Sequence, residues 1–175
     1  MKILKIVGIV LMALILIVLG LGLVISKEYA VERSVVINKP RTEVFPLVST
    51  LRNQEKWSPW LDYDPQAKVT YAGTDGAVGS TYAWDGNDDI GKGEQEIKEI
   101  APGEMVHNEV RFEKPFASVG QVYFVLADEG DATKVTWKMT GEQVYPMNVM
   151  SLFMDGMLGK EFDKGLIKLK TLAEK

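Results

Sequence analysis

The chain has no cysteine and only one histidine among its 175 residues. Without thiols it can form no disulfide, no Cys-ligated metal site, no thiolate nucleophile and no lipoprotein-type lipid anchor. A lone histidine, His107, leaves little from which to assemble a nucleophile–base–acid constellation. A basic cluster is missing as well. Setting aside Lys2 and Lys5, 18 Lys and Arg stand against 24 Asp and Glu, a balance near −6. A nucleic-acid binder needs a basic face to neutralise phosphates, so nucleic acid is not an expected partner. Internal repeats are absent too.

What is there begins with an uncharged run from Ile6 to Ile25, built almost entirely of Ile, Leu, Val, Gly, Ala and Met. At about 1.5 Å per helical residue, twenty residues reach about 30 Å, the thickness of a bilayer's hydrocarbon core. Lys2 and Lys5 precede it, which by the positive-inside rule keeps the N-terminus cytoplasmic and places the chain beyond Ser26 on the extracytoplasmic side. A cleaved signal peptide is the alternative. Signal h-regions run to about 15 residues and end in a small-x-small site, and "GLGLVISKEY" offers a poor one. The expectation is a single-pass anchor over residues 1–27 and one domain over residues 28–175.

The exported part reads as strand, helices, strands and helix. Residues 28–37, "EYAVERSVVI", alternate with Tyr29, Val31, Val35 and Ile37 on one face. "NKPRTEVFPLVSTLRNQEKW" carries the start signals Asn38 and Pro40 and an apolar stripe of Val44, Phe45, Leu47, Val48 and Leu51. Pro46 costs a helical hydrogen bond, which predicts two short helical pieces or a kink. Six further runs of strand length follow, from "AKVTYAG" to "ATKVTWKMTGE", each bounded by Gly, Asp, Asn or Pro. They predict an antiparallel meander.

The last thirty residues change period. Met147, Met150, Met154, Met157, Leu158, Phe162, Leu166, Leu169 and Leu172 recur at three- and four-residue steps and define one apolar face of a long helix. Gly156, Gly159 and Gly165 weaken it by about 1 kcal/mol each relative to Ala, so packing must hold it. These elements give an α+β fold in which a curved seven-stranded antiparallel sheet wraps a long C-terminal helix. Tyr82, Trp84, Val110, Phe112, Phe124, Val135, Trp137 and Met139 would face inward. Methionines on the facing helix suit a surface that re-packs around varied apolar contents.

The segments "VERSVVINKPRTEVFPLV", "WSPW", "STYAWDGNDDIGKGEQEI", "TKVTWKM" and "FMDGMLGKEFDKGLIKLK" together resemble the helix-grip (SRPBCC/START-like) superfamily. That superfamily includes START lipid-transfer domains, the birch pollen allergen and polyketide cyclase/dehydrase-like proteins. The resemblance covers residues 28–174 and is closest to bacterial members with an N-terminal membrane anchor. It implies a sheet gripping the C-terminal helix around a deep apolar cavity. It implies no activity, because members bind lipids, sterols and hormones while others catalyse cyclisation or hydrolysis with residues that vary between subfamilies.

The residues themselves offer little catalytic chemistry. His107 alternates with Glu109 and Arg111 on what reads as the solvent face, while Asn108 and Val110 point inward. Asn108 and Gln95 are the candidate polar handles in an apolar pocket. Asp85, Asn87, Asp89 and Glu96 fall at positions 1, 3, 5 and 12 of a calcium loop, but position 6 is Ile90 rather than Gly and the flanks are strands. Gly91 and Gly93 lack the strand-to-helix setting of a phosphate loop and better relieve crowding at a bend. Asp62 and Asp64 read as turn residues rather than an acid–base pair. In "EKWSPWLDYDP", Trp57 is expected to cap the core and Trp60 to sit on the cavity rim.

The expected function is therefore a membrane-anchored binding domain for a small apolar or lipid-like ligand, needing no metal and no cofactor. The candidate ligand-binding residues are Trp60, Tyr82, Trp84, Gln95, Asn108, Val110, Phe112, Phe124, Trp137 and Met139 on the loop and sheet. Met150, Met154 and Met157 complete the set from the C-terminal helix. A cyclase- or hydrolase-type enzyme using the same cavity, and a structural or regulatory domain with a filled core, are the alternatives.

Overall fold

The computed structural model describes residues 2–175. The uncharged run forms a single helix, α1 (Lys2–Val24), long and apolar enough to cross a membrane, with nearly all of its surface exposed. Only Ile25–Lys27 separate it from the first strand, β1 (Glu28–Ile37). Two short helices follow, α2 (Arg41–Ser49) and α3 (Leu51–Trp57), then a 3-10 turn over Trp60–Asp62. The meander runs β2 (Lys68–Ala72), β3 (Thr81–Asp85), β4 (Lys92–Ala101), β5 (Met105–Lys114), β6 (Ser118–Glu129) and β7 (Ala132–Glu142). A 3-10 turn at Met147–Met150 leads into α4 (Ser151–Ala173).

All seven strands join one antiparallel sheet in the order β1-β7-β6-β5-β4-β3-β2. Successive side chains of a strand point to opposite faces, so register alone decides what meets the core. Phe124 pairs with Trp137 and Val122 with Met139, which puts alternate residues of β6 and β7 on the concave face. Val106, Asn108 and Val110 continue that face on β5. The sheet bends at two register shifts in β4, between Lys92 and Gly93 and between Ile97 and Glu99. At the first shift the Trp84 ring lies so close that a Cβ on Gly93 would sit 2.6 Å from it, which explains the glycine.

The two-piece helix is present, but it breaks at Thr50 rather than at Pro46. Pro46 lies inside α2, while Thr50 has φ −119° and ψ 135°. The Pro46 carbonyl then accepts from Thr50 Oγ1 at 3.2 Å and Asn53 Nδ2 at 2.9 Å instead of from a helical N–H. Asp75, from the β2–β3 connection, accepts from the Leu51 N–H at 2.7 Å and the Arg52 N–H at 3.3 Å, so its carboxylate sits at the start of α3.

α4 lies in the grip of the sheet and buries Phe162, Leu166 and Leu169 against it. Its C-terminal end reaches the far end of β1, where Glu174 accepts from the Asn38 N–H at 2.7 Å. The apolar period seen from Met147 onward spans two elements, and α4 starts only at Ser151. Met150 precedes α4, and Met157 within it lies one residue off the Met154, Leu158 and Phe162 face, so both stand exposed rather than on the gripped face.

Candidate functional site

Trp57, at the end of α3, is fully buried and donates its indole N–H to the Leu47 carbonyl at 2.9 Å. Its ring meets Phe124 and Trp137 edge-on, both at 5.4 Å between centroids. Trp137 stacks on Phe162 of α4 at 4.2 Å. Such edge-to-face and offset pairs add to the stabilisation from area burial alone. This aromatic cluster clamps α3, the sheet and α4 together.

On the β2–β5 side of that clamp the sheet and α4 diverge, leaving a cavity of about 290 Å³. Trp60 and Leu61 bound it from the 3-10 turn, and Leu158 and Phe162 from α4. Tyr82, Trp84, Gln95, Val110 and Phe112 form one sheet wall, while Val122, Phe124, Trp137 and Met139 form the other. Asp89 and Ile90 of the β3–β4 hairpin and Lys114 and Pro115 after β5 close one end. Trp84 is held by donation from Nε1 to the Ile90 carbonyl at 3.1 Å, so the hairpin and the indole form one piece of wall.

The polar groups sit together at one side. Gln54 of α3 is buried, donates from Nε2 to the Val48 carbonyl at 2.7 Å, and accepts at Oε1 from Gln95 Nε2 at 2.5 Å and Asn108 Nδ2 at 3.3 Å. Beside it, Tyr71 hydroxyl donates to the Glu55 carboxylate, with the Arg52 guanidinium 4.1 Å from the Tyr71 ring centre. Burial first, and the Glu55 charge second, push the Tyr82 phenol up to about 12. Among the described residues four buried side-chain polar atoms have no partner: Trp137 Nε1 and Asn108 Oδ1 in this part of the fold, and Asn148 Oδ1 and Glu161 Oε2 away from it. Buried polar atoms are normally satisfied, so the first two are notable beside an apolar cavity.

Not every expected site residue reaches the cavity. Trp60, Tyr82, Trp84, Gln95, Val110, Phe112, Phe124, Trp137 and Met139 border it; Asn108, Met150, Met154 and Met157 do not. Asn108 lies behind the wall, wholly buried, with its amide turned to Gln54. Met154 packs on the core one turn before Leu158, Met150 faces outward because α4 begins only after it, and Met157 faces outward because it lies one residue off the Met154–Leu158 face. Gln54 was not anticipated. Its signal was the spacing Leu51, Gln54, Trp57, one residue per turn on the buried face of α3.

The candidates for other chemistry lie elsewhere. His107 stacks on Tyr123 at 4.4 Å and bonds Gln121 Oε1 at 2.7 Å, on the sheet's outer face. Asp62 pairs with Lys168 at 2.8 Å, and Asp64 accepts from the Gln66 and Asn87 N–H groups as a turn residue does. Asn87 Oδ1 accepts from the Asp89 and Ile90 N–H groups, and Glu96 turns to Lys98 and Arg111. Bonds to those two cations hold the Glu96 carboxyl below its usual range. The residues at calcium-loop spacing are thus dispersed, and among the described residues no three His, Asp or Glu converge as a metal cage.

Comparison with solved structures places this architecture. A protein of Chromobacterium violaceum, 16% identical, matches with a TM-score of 0.58 over 83% of this chain and 97% of its own. A Thermobifida fusca protein, also 16% identical, matches at 0.63 over 82% and 92%. Ara h 8.0201 matches at 0.60 with 10% identity over 83% and 97%. At such identities these similarities establish the fold, a helix grip like that of the birch pollen allergen. No curated protein matches the sequence significantly. The family model described as polyketide cyclase / dehydrase and lipid transport matches residues 29–174. With the helix grip, the seven-stranded sheet and that match spanning the whole gripped domain, the chain belongs to the polyketide cyclase/dehydrase and lipid transport family.

Proposed function

We propose that residues 28–175 form a binding domain for a small apolar or lipid-like ligand, tethered to a membrane by residues 1–27. The observation that carries the reading is the cavity of about 290 Å³ between sheet and α4, walled mainly by aromatic and aliphatic side chains, with Gln54, Glu55, Tyr82 and Gln95 at one side and Asp89 and Lys114 at one end as the main polar groups. Ligand pockets have this make-up, and about 300–1,000 Å³ is their usual size, so the ligand is compact. Burial of its apolar surface would supply about 25 cal/mol per Å², with a few polar groups setting orientation. The family's link to lipid transport supports the ligand class.

The anchor reading rests on α1. Its length, its exposed apolar surface and the Lys2 and Lys5 charges before the core of the run support a span with a cytoplasmic N-terminus. The domain would then stand on the extracytoplasmic side, next to a reservoir of apolar molecules.

The test is mass spectrometry of the full chain released from lipid nanodiscs. A retained apolar mass, one per chain, is the expected result. Absence of any retained mass, together with no uptake of a naphthalene-based apolar fluorophore, would overturn the reading.

A further inference from the structure

The joint between α1 and the domain is built, not merely threaded. The last carbonyls of a helix have no partners within it. Here Asn148, wholly buried in the turn before α4, donates its side-chain amide to the Gly22 and Ile25 carbonyls, both at 2.8 Å. Tyr145 hydroxyl reaches the Leu19 carbonyl at 3.4 Å, and Ser151 Oγ donates to the Ser26 carbonyl at 3.0 Å. Gly22 lets the two elements close up, since a Cβ there would lie 3.0 Å from the Tyr145 ring and 3.2 Å from Asn148 Oδ1. The Gln143 N–H, just after β7, donates to the Lys27 carbonyl at 2.8 Å. Five hydrogen bonds therefore tie residues 19–27, the end of α1 and its linker, to residues 143–151, the segment from the end of β7 to the start of α4.

The surface around this joint is apolar and uncovered. Val144, Met147, Leu152, Phe153 and Met157 are each about half exposed or more, Val144 at 74%. The pairing register brings a second segment to the same end. Glu28 pairs with Glu142, Gly141 with Gly120, and Phe112 with Ser118, so the β5–β6 loop lies at the end of the sheet where α1 leaves. That loop carries Phe116, 76% exposed. Its neighbours Lys114 and Pro115 close the cavity at this end, and Leu158 borders it one turn after Met154. Large exposed apolar surface of this kind marks an interaction site more often than a bare face.

We propose that this patch is seated in the bilayer interface on the exit side of α1, with the Asn148 joint fixing the pose. The inference rests on the anchor half of the proposed function. The occupant is set by chain length. Three residues, Ile25–Lys27, separate the helix from β1 and span at most about 10 Å. The end of the domain that bears the patch therefore lies at the membrane surface. Apolar faces with aromatic residues at that depth enter the boundary between headgroups and acyl chains. The contact is one-sided. The β3–β4 hairpin is at the same end of the sheet but far along it from β1, and it presents the exposed acids Asp88 and Asp89. These stay in water, so the domain leans on the side formed by α1, the Met147–Met150 turn and β6. At the cavity end closed by Lys114, Pro115, Asp89 and Ile90, the β5–β6 side then faces the membrane and the β3–β4 hairpin side faces water.

The cysteine-free chain allows a direct test by single-site labelling. The full chain carrying Met147→Cys, Phe153→Cys, Phe116→Cys, Asp88→Cys or Ile167→Cys is labelled with an environment-sensitive nitrobenzoxadiazole. It is then reconstituted in phosphatidylcholine–phosphatidylglycerol vesicles containing a nitroxide-bearing lipid. Labels at positions 147, 153 and 116 are expected to be blue-shifted and quenched several-fold more strongly than those at 88 and 167. Equal, water-like signals at all five would overturn the seating. Carbonate washing separates the two failures: chain released from the vesicles sinks the anchor reading itself, whereas retained chain with water-like labels sinks only the seated patch. Asn148→Ala should widen the spread of label depths at 147 and 153 while leaving the chain in the membrane. An unchanged spread would remove Asn148 from its role.

Discussion

Trp57 and Trp60 stand three residues apart and separate structure from binding. Trp57→Ala removes a fully buried ring, its bond to Leu47 and two edge-on partners, which costs about 3–5 kcal/mol. Trp60 is half-buried on the cavity margin, and Trp60→Ala should lower stability far less while weakening uptake of an apolar fluorophore. Urea midpoints measured beside fluorophore titrations check this, and equal midpoint losses in the two variants would remove the distinction. Tyr82 makes a second, pH-dependent prediction. Its folded pKa of about 12 lies above the ordinary tyrosine value near 10, so its contribution is complete below pH 10 and is lost as pH rises towards 12. Tyr29, raised by burial as well, titrates in the same alkaline direction. Tyr82→Phe should therefore flatten, not abolish, the alkaline fall in the urea midpoint; a curve parallel to the wild type would count against the buried phenol.

α4 shows how far patterning carries and where it stops. Its three glycines look alike in sequence, each lowering helix stability by about 1 kcal/mol. In the fold they differ. A Cβ on Gly156 meets nothing within 4 Å, whereas on Gly165 it would sit 2.7 Å from the Trp137 ring and 3.1 Å from Pro59. On Gly159 it would strike the Arg33 guanidinium, which is paired with Asp155 at 2.8 Å. Gly156→Ala should accordingly raise the unfolding free energy by about 1 kcal/mol, and Gly165→Ala should lower it. Stabilisation by both, read from urea midpoints, would mean that the helix stands off from the sheet. The seven strands, the two-piece helix and the inward set on β5 to β7 were legible because a half-buried antiparallel strand writes its faces into alternate residues. The limits were physical. Met150 and Met157 kept the helical period, but the chain is in a 3-10 turn until Met150 and Met157 lies one residue off the Met154–Leu158 face, so the period does not map onto a single face. Gln54 was hidden because a polar residue on a short helix reads as solvent-facing, and only its tertiary partners Gln95 and Asn108 make it a buried link.

At the scale of the molecule, the cavity and close packing set opposing demands. Space left between sheet and α4 forfeits packing contacts, and cores normally tolerate few such voids. A chain selected for stability alone would fill it, so the void itself supports a ligand role. Val110 borders the cavity from β5, paired with Gln95 of β4, and a larger ring there would extend into the space. Val110→Phe should raise the unfolding free energy of the full chain in nanodiscs by about 0.5–2 kcal/mol, as cavity-filling changes do. It should also abolish fluorophore uptake. A bound molecule stabilises the folded state by mass action, about 2.7 kcal/mol at a hundredfold excess over its Kd. The apolar fluorophore should thus raise the unfolding midpoint of the wild type and leave that of Val110→Phe unmoved. Equal rises in both would place the fluorophore outside the cavity, on the patch beside α1, and would separate the gripped site from the surface proposed to seat in the membrane.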